Sequence, residues 1–455
     1  MIARAFTALI LSALLLLTGC SAFRSYDSEL QATNQQLSIG NIDGALSLLE
    51  RHNSGDEKDL LYYLEKGELL RAKGDLAGSQ RAWRNADKVV QAWEESVKFD
   101  ADKYLSQFAS YLLNDKVRRY EGYDYEKVLL TTQMALNLLA LGDFDGARTE
   151  IKKTHEREAL ISELRDKEYL KREQEAERQG VRTHFRDLHN YPVQSLNAPE
   201  VIALKNSYQS AFSHYLAGFV YEALGERGLA APGYRKAAEL RPDTSLIEKS
   251  LINLDRPSTK ANESDVLIVL QSGLAPARDS IRIPLLLTIS DNTVITPLSF
   301  PVIKPDVHNA TFTHVLINNR AHGLTLLNSV TTMSQRALRD DMPGVILRTS
   351  VRAITRGVAQ KQLNEVNPLA GLALGLASAA IESADTRTWR TLADNTQVAR
   401  IRLKHGEHQL RLPNIGGTVR VRIKADQRYQ VITLRVVGHH IFSHDLAANA
   451  ALIQP

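Results

Sequence analysis

A short turn recurs three times in the first half of the chain, and its spacing strongly restricts the possible folds. The copies begin at Gly40 (GNIDGA), Gly74 (GDLAGS) and Gly142 (GDFDGA). The first two copies are 34 residues apart, and the third follows after twice that distance. A fixed period of this length is typical of repeat architectures, in which each unit buries its apolar face against its neighbours. The spacing therefore predicts an α-helical solenoid.

The residue types in the turn suit the end of one helix and the start of the next. A glycine after a helix adopts the left-handed conformation at low cost. The Asn or Asp that follows can cap the next helix. The period and the turns resemble those of tetratricopeptide repeats, and this resemblance implies protein or peptide binding along a concave face. The alternative is that these helices only scaffold the second half.

The repeats are irregular beyond the third turn. A fourth unit, from Tyr215 to Pro242, is internally similar but out of phase. Residues 152–190 before it are highly charged at helical spacing, which indicates a long exposed helix or coiled-coil arm. Residues 120–127 (YEGYDYEK) are dense in tyrosine, and we expect them either at a groove or in the core.

The pattern changes after a polar linker at residues 256–264. Apolar residues now alternate with polar ones, as in half-buried strands. Helices are expected near 343–363 and 368–382. The second is apolar but too short to span a bilayer. We expect it either to be buried in the domain or to dock on a lipid surface. We therefore predict an α+β, two-domain chain: an N-terminal tetratricopeptide-like α-solenoid (28–255) and a C-terminal mixed β-rich domain (265–455) with two or three helices.

The N-terminus has the features of an export signal. Arg4 precedes an apolar run from Ala5 to Leu17, and small residues then lead to Cys20, the only cysteine of the chain. This segment closely resembles the lipobox of bacterial lipoproteins. The resemblance implies that residues 1–19 are removed, that Cys20 is acylated, and that residues 20–27 form a tether. Ser21 after the cysteine implies sorting to the outer membrane, facing the periplasm.

Basic residues are unevenly distributed along the chain. From residue 265 onwards there are 21 Lys and Arg against 13 Asp and Glu, a net charge of +8, whereas the preceding part carries −4 of the total of +4. Different partners for the two halves would explain this, as would attraction between them. Nucleic acid is excluded as a partner, because an exported anchored protein rarely meets it and no binding motif is present.

Nine basic side chains are candidate contacts for an anionic envelope polymer or lipid. Three are spaced by four residues on a predicted helix, which places them on one stripe. The other six alternate along two predicted strands, so each triplet shares a strand face, and neighbouring strands would give one basic surface. The alternative is a solvated face balanced by acidic residues of the first half. The nine residues are Arg348, Arg352, Arg356, Arg400, Arg402, Lys404, Arg420, Arg422 and Lys424.

No catalytic motif is found in the sequence. There is no G-x-S-x-G elbow, P-loop or H-E-x-x-H pattern, so we assign no catalytic, cofactor-binding or metal-binding residue. The most motif-like polar stretch is Asp385–Arg390 (DTRTWR). We expect it either to bind a ligand or to stack an arginine on Trp389 at a domain seam.

Taken together, these features resemble a family of bacterial outer-membrane lipoproteins with tetratricopeptide-like helices and a C-terminal β-rich domain. We expect a non-enzymatic, membrane-anchored periplasmic adaptor or scaffold in cell-envelope assembly that binds a protein partner through its helical repeats. One alternative is an activator of peptidoglycan synthesis. Another is an enzyme or small-molecule binder acting on cell-wall material through a pocket in residues 265–455. A third is an oligomeric subunit of a secretion or envelope assembly.

Overall fold

The computed structural model describes residues 26–110, 119–178, 180, 183, 190–254, 260–289, 292–307, 309–366 and 384–443. Within these ranges the chain is helical up to residue 253 and consists mainly of strands from residue 263. The predicted order of a helical part followed by a β-rich part is therefore confirmed. The predicted signal peptide, Cys20 and the predicted helix 368–382 lie outside the described residues.

The helices of the first half are arranged as hairpins around the recurring turns. Pairs α1/α2, α3/α4, α6/α7 and α10/α11 each join at a glycine with positive φ. The helices are α1 (Tyr26–Ser38), α2 (Ile42–His52), α3 (Leu60–Ala72), α4 (Leu76–Phe99), α5 (Ala101–Ser110), α6 (Asp124–Ala140), α7 (Phe144–Arg178), α8 (Val193–Leu196), α9 (Pro199–Ala203), α10 (Ala211–Ala223), α11 (Arg227–Leu240) and α12 (Ser245–Asn253).

The turn chemistry matches the prediction from sequence. Gly74 has φ +87°, and the side chain of Asp75 accepts a hydrogen bond of 2.7 Å from the backbone N–H of Gly78. Asn41 and Asp143 cap the other two turns in the same way. Each cap satisfies a backbone donor that the first helical turn leaves free. The local sequence alone therefore places these hairpins.

The second half contains three described sheets. The strands are β1 (Glu263–Ser272), β2 (Ala277–Ile289), β3 (Asn292–Lys304), β4 (His314–Ile317), β5 (Arg320–Gly323), β6 (Thr325–Ser329), β7 (Asn395–Lys404), β8 (Gly406–Arg411), β9 (Val419–Ile423), β10 (Tyr429–Val437) and β11 (His440–Ser443). A five-stranded sheet has the order β11-β10-β1-β7-β6, with β1 and β10 parallel. A four-stranded sheet has the order β5-β4-β8-β9, and β2 pairs with β3.

The central strand β1 shows how the layers stack. Successive side chains of a strand point to opposite faces of a sheet. Leu267 and Val269 pack into a core with α10 and α11, whereas Val266, Ile268 and Leu270 pack against β4, β8 and β9. The five-stranded sheet therefore lies between the helices and the four-stranded sheet.

The helix predicted near 343–363 is part of a longer one. Helix α13 runs from Val330 to Val366 without a break, and Pro343 lies inside it instead of at its start. A proline inside a helix removes one backbone hydrogen bond. Here Met342, Val345 and Ile346 are buried in a core with side chains of β2 and β3. Because tertiary packing supplies most helix stability in proteins, this burial outweighs the lost bond.

The charged segment 152–190 is not an exposed arm over the part that the structure describes. Its residues up to Arg178 belong to α7, where Ile161 and Leu164 are buried in the main core. Arg157 is also buried and makes an ion pair with Asp87 of α4 at 2.8 Å. Part of the charge density therefore reflects buried ion pairs, and the rest lies on the solvent-exposed face of α7, as in the pair between Glu163 and Lys167. No helix in the described ranges combines the length and the apolar character that a membrane crossing requires.

Candidate functional site

The helical arginine stripe is not an open basic surface. Arg348 is partly buried beside Asp341, at 3.4 Å, and Arg352 is 3% exposed. The side chain of Arg356 lies outside the described residues.

The strand arginines do not form one basic face, because their strands belong to different sheets. β7 pairs with β1 and β6, and β9 pairs with β8. Arg400 of β7 is directed at the helices and binds Glu222 at 2.6 Å and Asp265 at 2.7 Å. The remaining members of the two triplets are exposed: Arg402, Lys404, Arg420, Arg422 and Lys424.

Helices α3 and α6 of the repeats hold a segment of the same chain, and we call the face that carries Glu65 and Glu126 the inner side of the repeats. Glu65 of α3 accepts hydrogen bonds from the backbone N–H groups of Arg390 and Thr391, at 2.7 and 2.9 Å. Glu126 of α6 accepts one from Trp389 at 2.7 Å. Burial raises the pKa of Glu65 to about 7. Two repeat helices thus bind residues 389–391 through the backbone, in the manner of an extended ligand.

Side-chain contacts extend this seam, by which we mean the interface between the helical and the β-rich parts. Trp389 is fully buried and packs edge-on against Trp83, with ring centroids 6.0 Å apart. Arg435 of β10 pairs with Glu68 of α3 at 2.9 Å, and both side chains are almost completely buried. The stretch around Trp389 therefore lies at the seam, as one of the two alternatives predicted, but the described ring partner of Trp389 is Trp83 and not an arginine. Arg387 lies over the ring of Tyr120.

A cavity of about 820 Å³ opens along this seam, and we call it the seam cavity. Its wall comes from residues 119–127, from the middle of α7, from residues 205–208, from β2, from α13 and from residues 384–387. The volume is within the range of small-molecule sites, which often lie between domains. The alternative of an enzyme or small-molecule binder predicted a pocket within residues 265–455, whereas both halves of the chain build this cavity.

The wall of the seam cavity is strongly charged. Ten Lys and Arg side chains face seven Asp and Glu side chains among its described residues. Arg165 binds Asp124 at 2.6 Å. Burial alone would raise the pKa of Asp124, but Arg165 and Lys127 hold it at about 2. Asp124 therefore stays ionised, and the basic side chains of the wall outnumber the acidic ones by three.

Arg278 of β2 differs from the other arginines of this wall. It is 4% exposed, and its guanidinium lies 4.2 Å above the ring centre of Tyr123. Its Nε and Nη1 atoms are buried and make no hydrogen bond, and no described carboxylate forms an ion pair with it. A buried charge normally has a partner, so the unsatisfied donors of this arginine are available to an anion that enters the cavity.

Sequence reasoning found part of this wall and missed the rest. The tyrosine-rich segment 120–127 and the stretch from Asp385 both line the cavity. Arg278 and Arg165 were not singled out, because each occurs in a segment where charged residues are common. Among the described residues, no group of three or more His, Cys, Asp or Glu side chains is placed to hold a metal ion.

A scan against models of known protein families and a search of curated proteins find no match for this chain. A solved structure that is similar is a tetratricopeptide repeat protein from Parabacteroides merdae ATCC 43184. The sequence identity is 13%, the similarity covers 51% of this chain and 99% of that chain, and the TM-score is 0.14. So low a TM-score carries no argument, and the helical repeats rest on the turns and caps described above.

Proposed function

We propose that this protein is a non-enzymatic adaptor of the bacterial cell envelope that holds its partner molecule in the seam cavity. The observation that carries the proposal is an open site of about 820 Å³ built from both halves, with an excess of basic side chains on its wall. Sites that orient a ligand combine such a volume with a few converging polar groups. Helices α6 and α7 of the repeats supply much of this wall, so the repeats still take part in binding.

The seam cavity is a better candidate than the inner side of the repeats. Glu65 and Glu126 there already bind the backbone of residues 389–391. A partner peptide at that position would have to displace the buried Trp389. Burying a large aromatic side chain stabilises a protein by several kcal/mol, on the order of 3 to 5. A partner that enters the cavity meets no such competition.

The location that we propose follows from the N-terminal sequence. Cleavage before Cys20 and acylation of its thiol would anchor the chain at the outer membrane, with its bulk in the periplasm. Acyl chains contribute about 0.8 kcal/mol per buried CH₂ group, which is enough for stable anchoring when several chains are attached. The adaptor would then present its cavity to envelope components within reach of the membrane surface.

A second candidate function is favoured by the size of the cavity. A protein that binds a small molecule derived from cell-wall material would need a pocket of this volume lined by polar groups. The two candidates share the same site. They differ in whether the occupant belongs to a protein partner or is a free small molecule.

Site-directed photo-crosslinking in living cells tests the proposal. Tyr169 lines the cavity and is 56% exposed, so Tyr169→p-benzoylphenylalanine places a reactive group at its mouth. Phe99 is 92% exposed and is not part of the wall, so Phe99→p-benzoylphenylalanine is the matched control. We expect adducts from position 169 that position 99 does not give.

The mass of the adduct separates the two candidates. A shift of many kilodaltons on a gel identifies a protein partner and supports the adaptor. A small mass increase, found by mass spectrometry of the cavity peptides, supports the small-molecule binder. Identical products from both positions, or none from position 169, would contradict binding in the cavity.

A further inference from the structure

We propose that the seam cavity binds a phosphorylated sugar and that Arg278 is the counter-ion of its phosphoryl group. This inference rests on the proposed function, since it names the chemistry of the molecule held there. Its first support is the isolation of Arg278, which lines the cavity while Nε and Nη1 make no hydrogen bond. No ion pair to it occurs in the described part of the chain.

The surroundings of Arg278 hold its guanidinium without a described ion pair, although the charges of Asp385 and Asp341 act on it from a distance. Its central carbon lies 4.2 Å from the ring centre of Tyr123, and Tyr125 stacks on that tyrosine with 5.7 Å between ring centroids. Aromatic faces attract a cation weakly and offer no acceptor oxygen. A buried cation with this support is costly in the empty protein. It becomes favourable when a ligand brings the missing negative charge and acceptor atoms into the cavity.

The charge of the wall indicates a ligand with more than one negative charge. The described wall has ten basic and seven acidic side chains, an excess of three. Burial would raise the pKa of Asp341, but Arg172 and Arg348 lower it below its usual value, so this carboxylate is ionised in that balance. A phosphate monoester brings nearly two negative charges and three acceptor oxygens. A single carboxylate would balance less of the excess.

The tyrosines of the wall indicate what the phosphoryl group is attached to. Five tyrosines line the cavity, including Tyr104, Tyr169 and Tyr208. Burial raises the pKa of Tyr123 well above its usual value, so its hydroxyl remains protonated. Tyrosine offers an apolar ring and a polar tip in one side chain. This combination suits a sugar, which has apolar C–H faces and hydroxyl groups at its edge.

Calorimetric titration of the full-length acylated protein in detergent micelles tests this inference. Glucose 6-phosphate is the probe, and glucose and acetate at the same ionic strength are the comparison ligands. We expect glucose 6-phosphate to bind and to raise the melting temperature, whereas the other two do neither. Affinity should increase as the pH rises through about 6, where the phosphoryl group loses its second proton.

Micelles doped with lipid A, whose headgroup is a phosphorylated disaccharide, show whether the ligand is a lipid or a free molecule. If lipid A competes with glucose 6-phosphate for binding, the site is assigned to a lipid headgroup. If it does not compete, the site is assigned to a free sugar phosphate.

Variants of Arg278 separate ligand binding from folding. Arg278→Met should weaken binding at least tenfold, while the melting temperature of the unliganded protein stays the same or rises, because an uncompensated buried charge is removed. Arg278→Lys should retain part of the affinity. Arg402→Gln alters an exposed arginine of β7 and is the matched control, with unchanged affinity.

Three outcomes would overturn the inference. These are no binding of glucose 6-phosphate, equal binding by the wild type and by Arg278→Met, and a lowered melting temperature of unliganded Arg278→Met. If position 169 gives crosslinked adducts while glucose 6-phosphate fails to bind, only the phosphoryl assignment fails and the proposed function stands. If adducts and binding are both lacking, both proposals fail.

Discussion

The buried ion pair between Glu68 and Arg435 joins the two halves, and its two members should contribute unequally to stability. Arg435 Nε donates to Glu68 at 2.9 Å, and both side chains are nearly inaccessible to solvent. A third charge lies beside them: Arg71 is 2% exposed and interacts with both partners. Burial and the charge of Arg435 lower the pKa of Arg71 to about 10, whereas Glu68 opposes this shift. Glu68 is therefore the anion shared by two buried cations.

The sizes of the two effects follow from this arrangement. Glu68→Gln leaves two buried guanidinium groups without their shared anion, and breaking a buried pair in this way costs about 3 to 5 kcal/mol. Arg435→Met leaves Glu68 with Arg71 and removes hydrogen bonds to the carbonyl oxygens of Thr391 and Val436. Hydrogen bonds to charged groups contribute about 1.5 to 3 kcal/mol. With two such bonds lost at the low end of this range, we expect Arg435→Met to cost about 3 kcal/mol, against up to about 5 kcal/mol for Glu68→Gln.

Equilibrium urea denaturation measures the difference. The three tryptophans of the chain are buried, and Trp83 contacts Trp389 across the seam, so their fluorescence reports on both halves. Asp43→Asn removes an exposed ion pair with Lys73 and is the control, with an unchanged midpoint. The reasoning is refuted if Arg435→Met costs as much as Glu68→Gln, or if Glu68→Gln costs less than about 1 kcal/mol.

Three further predictions concern pH, packing and anchoring. Burial raises the pKa of Glu65 from 4.5 to about 7, so the folded chain keeps a proton that the unfolded chain releases between these values. The stability that this group contributes is complete below pH 4.5 and is lost as the pH rises through 7, by about 3 kcal/mol in total. Glu65→Gln should remove this pH dependence of the free energy of unfolding, which urea titrations at several pH values measure. If the free energies of variant and wild type differ by the same amount at every pH, the prediction is refuted. Gly67→Ala should destabilise the folded protein by about 1 to 3 kcal/mol, because a Cβ at this position would lie 2.1 Å from Trp83 Nε1. Gly228 has open space around it, so Gly228→Ala should be neutral or stabilising in the same assay. Metabolic labelling with a radioactive fatty acid should label the wild type but not Cys20→Ser, and equal label on both would contradict the acyl anchor.

Much of the helical half was predictable because its signals are local. A glycine at φ +87° and an aspartate that caps the next helix act within a few residues, so the turn at Gly74 is visible in the sequence. The same holds for the change of periodicity near residue 263. The continuity of α13 through Pro343 was not predictable, because it depends on a core that β2 and β3 supply.

The site was only partly predictable. The tyrosines of 120–127 and the stretch from Asp385 were singled out, and both line the cavity. Arg400 was predicted on a basic surface, yet Glu222 of α10 and Asp265 of β1 bury it in ion pairs. Alternation gives the face of a strand on which a side chain lies. It does not tell what packs on that face.

The sequence by itself determined where helices turn, where the chain changes from helices to strands, and which cysteine is available for acylation, because these depend on backbone conformation and on neighbours along the chain. Only the tertiary structure decided that residues 389–391 occupy the inner side of the repeats and that Arg278 faces a cavity without a counter-ion. The contact between Glu65 and Arg390 joins groups 325 positions apart. The charge and burial of such groups are set by the partners that folding brings to them, and no local pattern encodes those partners.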